Sequence, residues 1–198
     1  MDRYKKFLHG IDKFLKSIGF SKEGNNYYAQ KYLNWELINF QKSKNSNATI
    51  KFTINLGICS NSVYNYSRNV VNKCSDIDEC HWKKRIGFLL PINADYWWEI
   101  NEETSIEQLI NDIATIISTI AIPEMENYAS DESLENIWLN NKSEGLTELE
   151  RYIYLTTLLK INHRKSLMPI VLELKKFARG RTFEITVEEH LKVLGIHE

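Results

Sequence analysis

The sequence predicts an α+β fold: an antiparallel sheet of about five strands with two helices packed on one face, followed by a small helical annex. Alternating apolar and polar runs joined by short connections predict the sheet. Two long amphipathic segments predict the covering helices, and helix-start signals recur after residue 129. We therefore expect an α+β domain over residues 1–128 and a helical annex over residues 129–198 packed on it.

The run from Thr49 to Cys59 gives the clearest strand pattern, because side chains alternate across a strand. Its apolar members are Ile50, Phe52, Ile54, Leu56 and Ile58. Their neighbours are polar or small, so we expect one face of the sheet to pack on a core and the other to be polar. Further strands are predicted over residues 27–32, 35–42, 81–90 and 95–100.

Helical periodicity is strongest over residues 4–18 and 106–120. Thr104 and Glu107 have the spacing of a capping box, and Pro123 marks the expected end of the second helix. Residues 61–73 predict either a short helix or a long ordered loop. The annex helices are predicted to begin near Ser130, Thr147, Ser166 and Thr186.

Composition indicates an ordinary globular protein with a formal net charge of −1. The first twenty residues show no continuous apolar run, and no stretch has the length of a membrane span, so we expect neither a secretory signal nor a membrane segment. Three cysteines cannot all pair, which argues against a disulfide scaffold and favours a reducing cytoplasm.

The charge is unevenly distributed along the chain. Residues 1–60 hold ten Lys or Arg against four Asp or Glu, whereas residues 104–162 hold three against ten. This asymmetry would steer a charged partner, or it would join two complementary layers of one molecule, which we prefer.

Five stretches occur in a characteristic order: IGFSKEGNNYY, INFQKS, FTINLGI, CHWKKRIGFLLP and YWWEI. With them the chain resembles a bacterial family known as domain of unknown function 4304, over roughly residues 8–125. The resemblance implies a bacterial α+β domain and brings no established activity, cofactor or catalytic residue.

The polar face of the predicted sheet is the leading candidate site. Its residues are Asn39, Gln41, Asn55, His81 and Arg85, with Lys83 and Thr53 on the same face. If the strands are neighbours, Asn39, Asn55 and Arg85 converge, and amides beside a guanidinium suit an anionic or amide-bearing group. The alternative is a solvated outer face, or a hydrogen-bond network buried beneath the annex.

Three other features are weaker indications of a functional site. Cys74, Cys80 and His81 lack the spacing and ligand number of a zinc site, so we expect no metal and read Cys80 as an ordinary half-buried thiol. Of Trp97 and Trp98, at least one belongs to the core, and we assign Trp97 to the site. Lys83, Lys84 and Arg85 would bind nucleic acid only if they formed one basic stripe with Lys42, Lys44 and Lys51.

The sequence contains no Gly-rich phosphate loop and no HExxH, GxSxG or paired-carboxylate motif. We therefore expect a cytoplasmic bacterial binding module without cofactor, acting on a protein partner or a small anionic ligand. A toxin-neutralising or stress-associated adaptor is one concrete form. The alternatives are an enzyme of unrecognised type using His81 and Arg85, and weak RNA binding.

Overall fold

The structure is a computed structural model that describes residues 2–44, 49–68 and 73–196. These residues form an α+β fold with one antiparallel sheet, as the sequence predicts. The strands are β1 Ser21–Glu23, β2 Asn26–Lys31, β3 Asn34–Lys42, β4 Ile50–Cys59, β5 Trp82–Arg85 and β6 Trp98–Ile100. The helices are α1 Arg3–Ser17, α2 Asn61–Arg68, α3 Ile106–Ile116, α4 Ile122–Glu126, α5 Asp131–Leu139, α6 Glu148–Ile161, α7 Leu167–Ala178 and α8 Glu184–Val193.

Strands β1 to β5 follow one another in chain order across the sheet, and β6 also pairs with β4. β5 lies along Asn55–Ile58 of β4, and β6 lies along Ile50–Phe52 on the same side. Two separate strands therefore complete one edge of β4. Short connections join β1 to β2 and β2 to β3, in agreement with the antiparallel order that short loops predict, whereas α2 lies between β4 and β5.

The bounds of two predicted strands are wrong in the segment between β5 and β6. The run predicted over residues 81–90 ends as a strand at Arg85 and continues as a 3₁₀ turn over Ile86–Phe88. A Cβ at Gly87 would lie 2.2 Å from the Ala94 carbonyl oxygen, so this turn needs glycine where the two segments touch. The last strand begins at Trp98 rather than at residue 95, and β1 was not predicted.

Helices α1 and α3 cover the apolar face of the sheet, in agreement with the predicted two-layer arrangement. Phe7 of α1 packs against Phe52 of β4 with ring centroids 4.7 Å apart, and Trp98 stacks on Phe52 at 5.6 Å. Gly10 lets the helices approach closely, since a Cβ there would lie 2.3 Å from Ile110 Cδ1.

Both ends of the second covering helix differ from expectation. Ser105, not Thr104, is the N-cap, because its hydroxyl accepts the Gln108 N–H. Pro123 does not end the helix. The chain widens into a π-helical turn over Ile117–Ala121 and continues as α4, where proline occupies the first turn and its missing N–H costs little.

The C-terminal helices pack in two groups. Trp138 of α5 and Leu155 of α6 join the core beneath the sheet, whereas α7 and α8 build a smaller cluster together with Tyr152 of α6. The predicted capping box of Thr147 and Glu150 opens α6, but α8 begins at Glu184, ahead of Thr186. The division of the chain at residue 128 stays a prediction. Within the described part, none of the helices has the length and apolar character needed to span a membrane.

Oppositely charged parts of the chain meet in ion pairs. Lys31 of β2 pairs with Glu126 of α4, and Lys84 of β5 pairs with Glu124 at 3.1 Å. Lys31 lies in the basic stretch of residues 1–60, whereas Lys84 lies outside it, so one of these two pairs joins the oppositely charged stretches. The interpretation of complementary layers stays a prediction.

Cys59 and Cys74 are joined in a disulfide, although the odd number of cysteines argued against a disulfide scaffold. An odd number excludes full pairing but not a single bond. Cys80 is the free cysteine and is fully buried, whereas the sequence predicted a half-buried thiol.

Candidate functional site

The second face of the sheet is divided into two halves. One half is covered by α2 and the segment that follows Cys74, and it holds a small apolar cluster. Its buried members are Tyr28, Leu37, Cys59, Tyr64, Cys74 and Cys80. The other half is polar and opens to solvent, so the uniformly polar face predicted from alternation is polar over only part of its extent.

One row of side chains crosses the polar half through four strands. Asn26 lies opposite Asn39, Asn39 opposite Asn55, and Asn55 opposite Arg85. We call these four residues the polar row. The predicted convergence of Asn39, Asn55 and Arg85 is therefore confirmed by the strand register.

Hydrogen bonds run continuously along the polar row. Arg85 Nε donates to Asn55 Oδ1 at 3.2 Å, and Asn55 Nδ2 donates to Asn39 Oδ1 at 3.0 Å. Asn39 Nδ2 donates in turn to Asn26 Oδ1 at 2.6 Å. Asn55 is 7% exposed, so its amide is the buried centre of the row. Buried amides that satisfy one another fix side-chain positions.

Arg85 ends the row and gathers further groups around its guanidinium. Its NH1 lies 2.7 Å from Asp95 Oδ2, its NH2 donates to Gln41 Oε1 at 3.4 Å, and its charge lies 5.4 Å from the Trp97 ring centroid. The hydrogen bond from Arg85 holds the pKa of the Asp95 carboxyl below its ordinary value. The structure thus brings Asn39, Gln41, Asn55, Arg85 and Trp97 together.

A solvent-open cleft of about 630 Å³ lies over this arrangement. We call it the polar cleft; it is lined by Asn39, Gln41, Asn55, Ile77, Asp78, Lys83, Lys84, Arg85, Phe88 and Gly145. Gly145 closes one wall, where a Cβ would lie 2.4 Å from the Lys83 carbonyl oxygen. The lining offers amide hydrogen bonds, positive charge and one exposed aromatic ring.

A second groove of about 650 Å³ lies between α7 and α8, far along the chain from the polar row. Lys175, Lys176, Arg179 and Lys192 surround a floor that includes Val187 and Leu191. Similar size does not make it the better site, because the hydrogen bonds described for its lining residues do not form a buried network like the polar row.

His81 lies apart from the polar cleft. It is 3% exposed, its Nδ1 accepts the Ser60 N–H at 2.9 Å, and its ring stands edge-on to Tyr154 at 4.7 Å. The pairing of Ile58 with Trp82 and of Asn55 with Arg85 places His81 at the far end of β5 from Arg85. His81 and Arg85 therefore do not meet in the polar cleft, and an enzyme that uses both stays an untested alternative.

The lysines do not form one basic stripe. Lys84 is held by Glu124 and by Glu144, 2.9 Å away, while Lys51 pairs with Glu99. Lys83 is directed along the cleft wall, where its ammonium donates to the Asp78 carbonyl oxygen at 3.0 Å. These contacts do not favour RNA binding, which stays a prediction.

Two members of the arrangement were not predicted. Asn26 lies just before the strand predicted over residues 27–32, and Asp95 lies at the start of the strand predicted over residues 95–100. Strand register is the signal that places Asn26 opposite Asn39, and a residue pattern alone does not supply it. Asp95 reaches Arg85 because the chain turns back after the 3₁₀ segment.

Together these features define an α+β domain whose antiparallel sheet carries a polar, amide-lined cleft beside a buried disulfide. The chain belongs to the family described as Domain of unknown function (DUF4304), whose model matches residues 11–127. The match includes the polar row and the polar cleft except for Gly145. Comparison with curated proteins and with solved structures gave no match.

Proposed function

We propose that the chain is a binding module and that the polar cleft takes a small anionic group, a carboxylate or a phosphate. The observation that carries the proposal is the position of Arg85, held by the partly buried polar row at the edge of an open cleft. A guanidinium fixed in this way recognises oxyanions through paired, charge-assisted hydrogen bonds.

The contacts of Arg85 support an anion as ligand. Asp95 already places a carboxylate against its guanidinium, and the side chains of Arg85 and Asp95 are 29% and 48% exposed. Ion pairs this exposed contribute about 0–1 kcal/mol, so a ligand oxyanion can replace Asp95 at little cost. Gln41 adds a donor, since no described residue accepts a hydrogen bond from its side-chain nitrogen.

A protein partner is the second candidate, and exposed apolar residues favour it. Phe88 lines the cleft and is 49% exposed, and Ile92 nearby in sequence is 58% exposed. A partner that presents an acidic side chain beside an apolar one would use both Arg85 and Phe88. Anchors of this kind concentrate binding energy in a small area.

The proposed setting is a bacterial cytoplasm, with an adaptor role as one form. A disulfide is more typical of oxidising compartments, so the state of Cys59 and Cys74 in cells tests this part of the proposal. Alkylation in intact cells of the native host should find both thiols at least partly reduced. Complete oxidation in the cell would refute cytoplasmic function.

The anion proposal is tested with inorganic phosphate and acetate, added to the full chain while amide NMR signals are recorded. We expect saturable shifts confined to the cleft, with dissociation constants on the order of 1 mM, and loss of these shifts in Arg85→Gln. Arg179→Gln is the matched control, because it removes the same charge from the other groove. Shifts that persist in Arg85→Gln, or none in the wild type, would refute the proposal.

A further inference from the structure

We propose that Cys59, Cys74 and His81 form a zinc site when the disulfide between the two cysteines is reduced. The ligand atoms of these three buried residues all lie within 4.8 Å of one another. Two thiolates and an imidazole are the ligands that zinc prefers. The site is separate from the polar cleft, since none of the three residues lines it.

The fold brings the three ligands together from distant parts of the sequence. Cys59 ends β4, and the His81 N–H donates to the Ile58 carbonyl oxygen at 2.8 Å, so Cys59 and His81 are the next pair after Ile58 and Trp82. Cys74 follows Cys59 by 15 residues. Tetrahedral zinc places sulfur and nitrogen ligands roughly 3.4–3.8 Å apart, so the two sulfurs must move apart from bonding distance when the disulfide is reduced.

The surroundings suit a metal-bound thiolate. The Cys74 backbone N–H lies 3.2 Å from Cys59 Sγ, and N–H groups directed at sulfur stabilise its negative charge. Glu79 holds the segment after Cys74 in place by accepting from the Ser75 N–H at 2.7 Å and from the Tyr64 hydroxyl at 3.2 Å. A fixed shell of this kind orients the three protein ligands, and the fourth tetrahedral position is left to a water molecule.

His81 must give up one hydrogen bond to bind the metal. Its Nδ1 now accepts the Ser60 N–H at 2.9 Å, which makes the ring neutral and places the proton on Nε2. Coordination through Nδ1 replaces the Ser60 contact directly, and coordination through Nε2 moves the proton to Nδ1. In both cases the Ser60 amide loses its acceptor, so its NMR signal reports on zinc binding.

Reduction and metal binding balance as two steps. An added dithiol reductant supplies two electrons and two protons, which break the Cys59–Cys74 bond and leave two protein thiols. The reductant itself is oxidised to a disulfide. Zinc then binds the two sulfurs and releases both thiol protons, while the neutral imidazole supplies a lone pair. Because the disulfide occupies the same sulfur atoms, the oxidised chain should not bind zinc here.

The test uses zinc alone and the full chain. The protein is reduced with a dithiol, the dithiol is removed without air, and bound zinc is measured after dialysis. We expect about one zinc per reduced chain and none per oxidised chain. Cys59→Ser and His81→Asn should each weaken binding by about 100-fold or more. Absence of zinc from reduced, folded wild type would overturn the proposal.

Cys80→Ser is the matched control, since Cys80 belongs to the same buried cluster but not to the ligand set. It should retain zinc, and equal loss in Cys80→Ser would overturn the assignment. If the ligand variants do not fold, two measurements on the wild type still test the site. Zinc should slow alkylation of Cys59 and Cys74 in the reduced chain and shift the Ser60 amide signal, and unchanged alkylation would count against the site.

Discussion

Replacement of Asn55 by alanine removes the centre of the polar row. Asn55 Nδ2 donates to Asn39 Oδ1 and to Gln41 Oε1, each at 3.0 Å, and its Oδ1 accepts from Arg85 Nε. At about 1 kcal/mol for each hydrogen bond, the loss is roughly 3 kcal/mol. Water can reach Gln41 and Arg85 and can replace part of their lost hydrogen bonding. We therefore expect the free energy of unfolding to fall by about 2 kcal/mol.

Urea denaturation followed by circular dichroism measures this change, and thermal unfolding should shift by about 4–8 °C for a chain of this size. Gln30→Ala is the control, because Gln30 is an exposed amide on the same face of β2 and lies outside the polar row. It should change the stability by less than about 0.5 kcal/mol. If Asn55→Ala is as stable as the control, the polar row does not hold Arg85 in place and the reasoning fails.

Three further predictions concern the core, the disulfide and pH. Phe52→Ala should lower the free energy of unfolding by about 3–5 kcal/mol in urea melts, because Phe52 is fully buried between two layers. The double variant Cys59→Ser/Cys74→Ser should lower the free energy of unfolding by about 3 kcal/mol, the loop-closure value for a separation near 15 residues. Reduction of the wild type should remove this difference in urea melts, and an equal difference after reduction would contradict the prediction. Burial lowers the pKa of His190 to about 4 from the ordinary 6.5, so the unfolded chain binds a proton more readily. Stability should therefore fall as pH drops from 6.5 toward 4, by up to about 3 kcal/mol, and denaturant melts of His190→Gln should lack this component.

The sheet and its two covering helices were predictable because alternation and helical periodicity are local signals. The run from Thr49 to Cys59 alternates through its whole length, and β4 occupies nearly all of it. By contrast, nothing local to residues 81–90 shows that the strand ends at Arg85. That end is set by β6, which takes the remaining edge of β4.

Helix boundaries failed where tertiary structure overrode a local rule. Pro123 predicted a helix end, but the π-helical turn before it lets the chain continue as α4. Thr104 had the spacing of a cap, yet its hydroxyl accepts the Asn101 N–H instead. At both positions the residue type is compatible with more than one local structure, so the sequence alone does not fix the helix boundary.

The candidate site was predicted in part, for the same reason. Asn39, Asn55 and Arg85 share a face by alternation, and antiparallel pairing then aligned them. His81 shares that face too, but the apolar cluster beside it belongs to the other half of the sheet. Alternation assigns a face and does not say which part of that face another element covers.

The central claim is that Arg85 can exchange Asp95 for a ligand oxyanion, and an acetate titration of Asp95→Asn tests it most directly. Removal of the competing carboxylate, worth at most about 1 kcal/mol, should tighten acetate binding by roughly fivefold relative to wild type. Asp112→Asn is the control, since it removes an exposed carboxylate from α3 and should leave affinity unchanged. If Asp95→Asn binds acetate no better than Asp112→Asn, Asp95 does not occupy the ligand position and the account is contradicted.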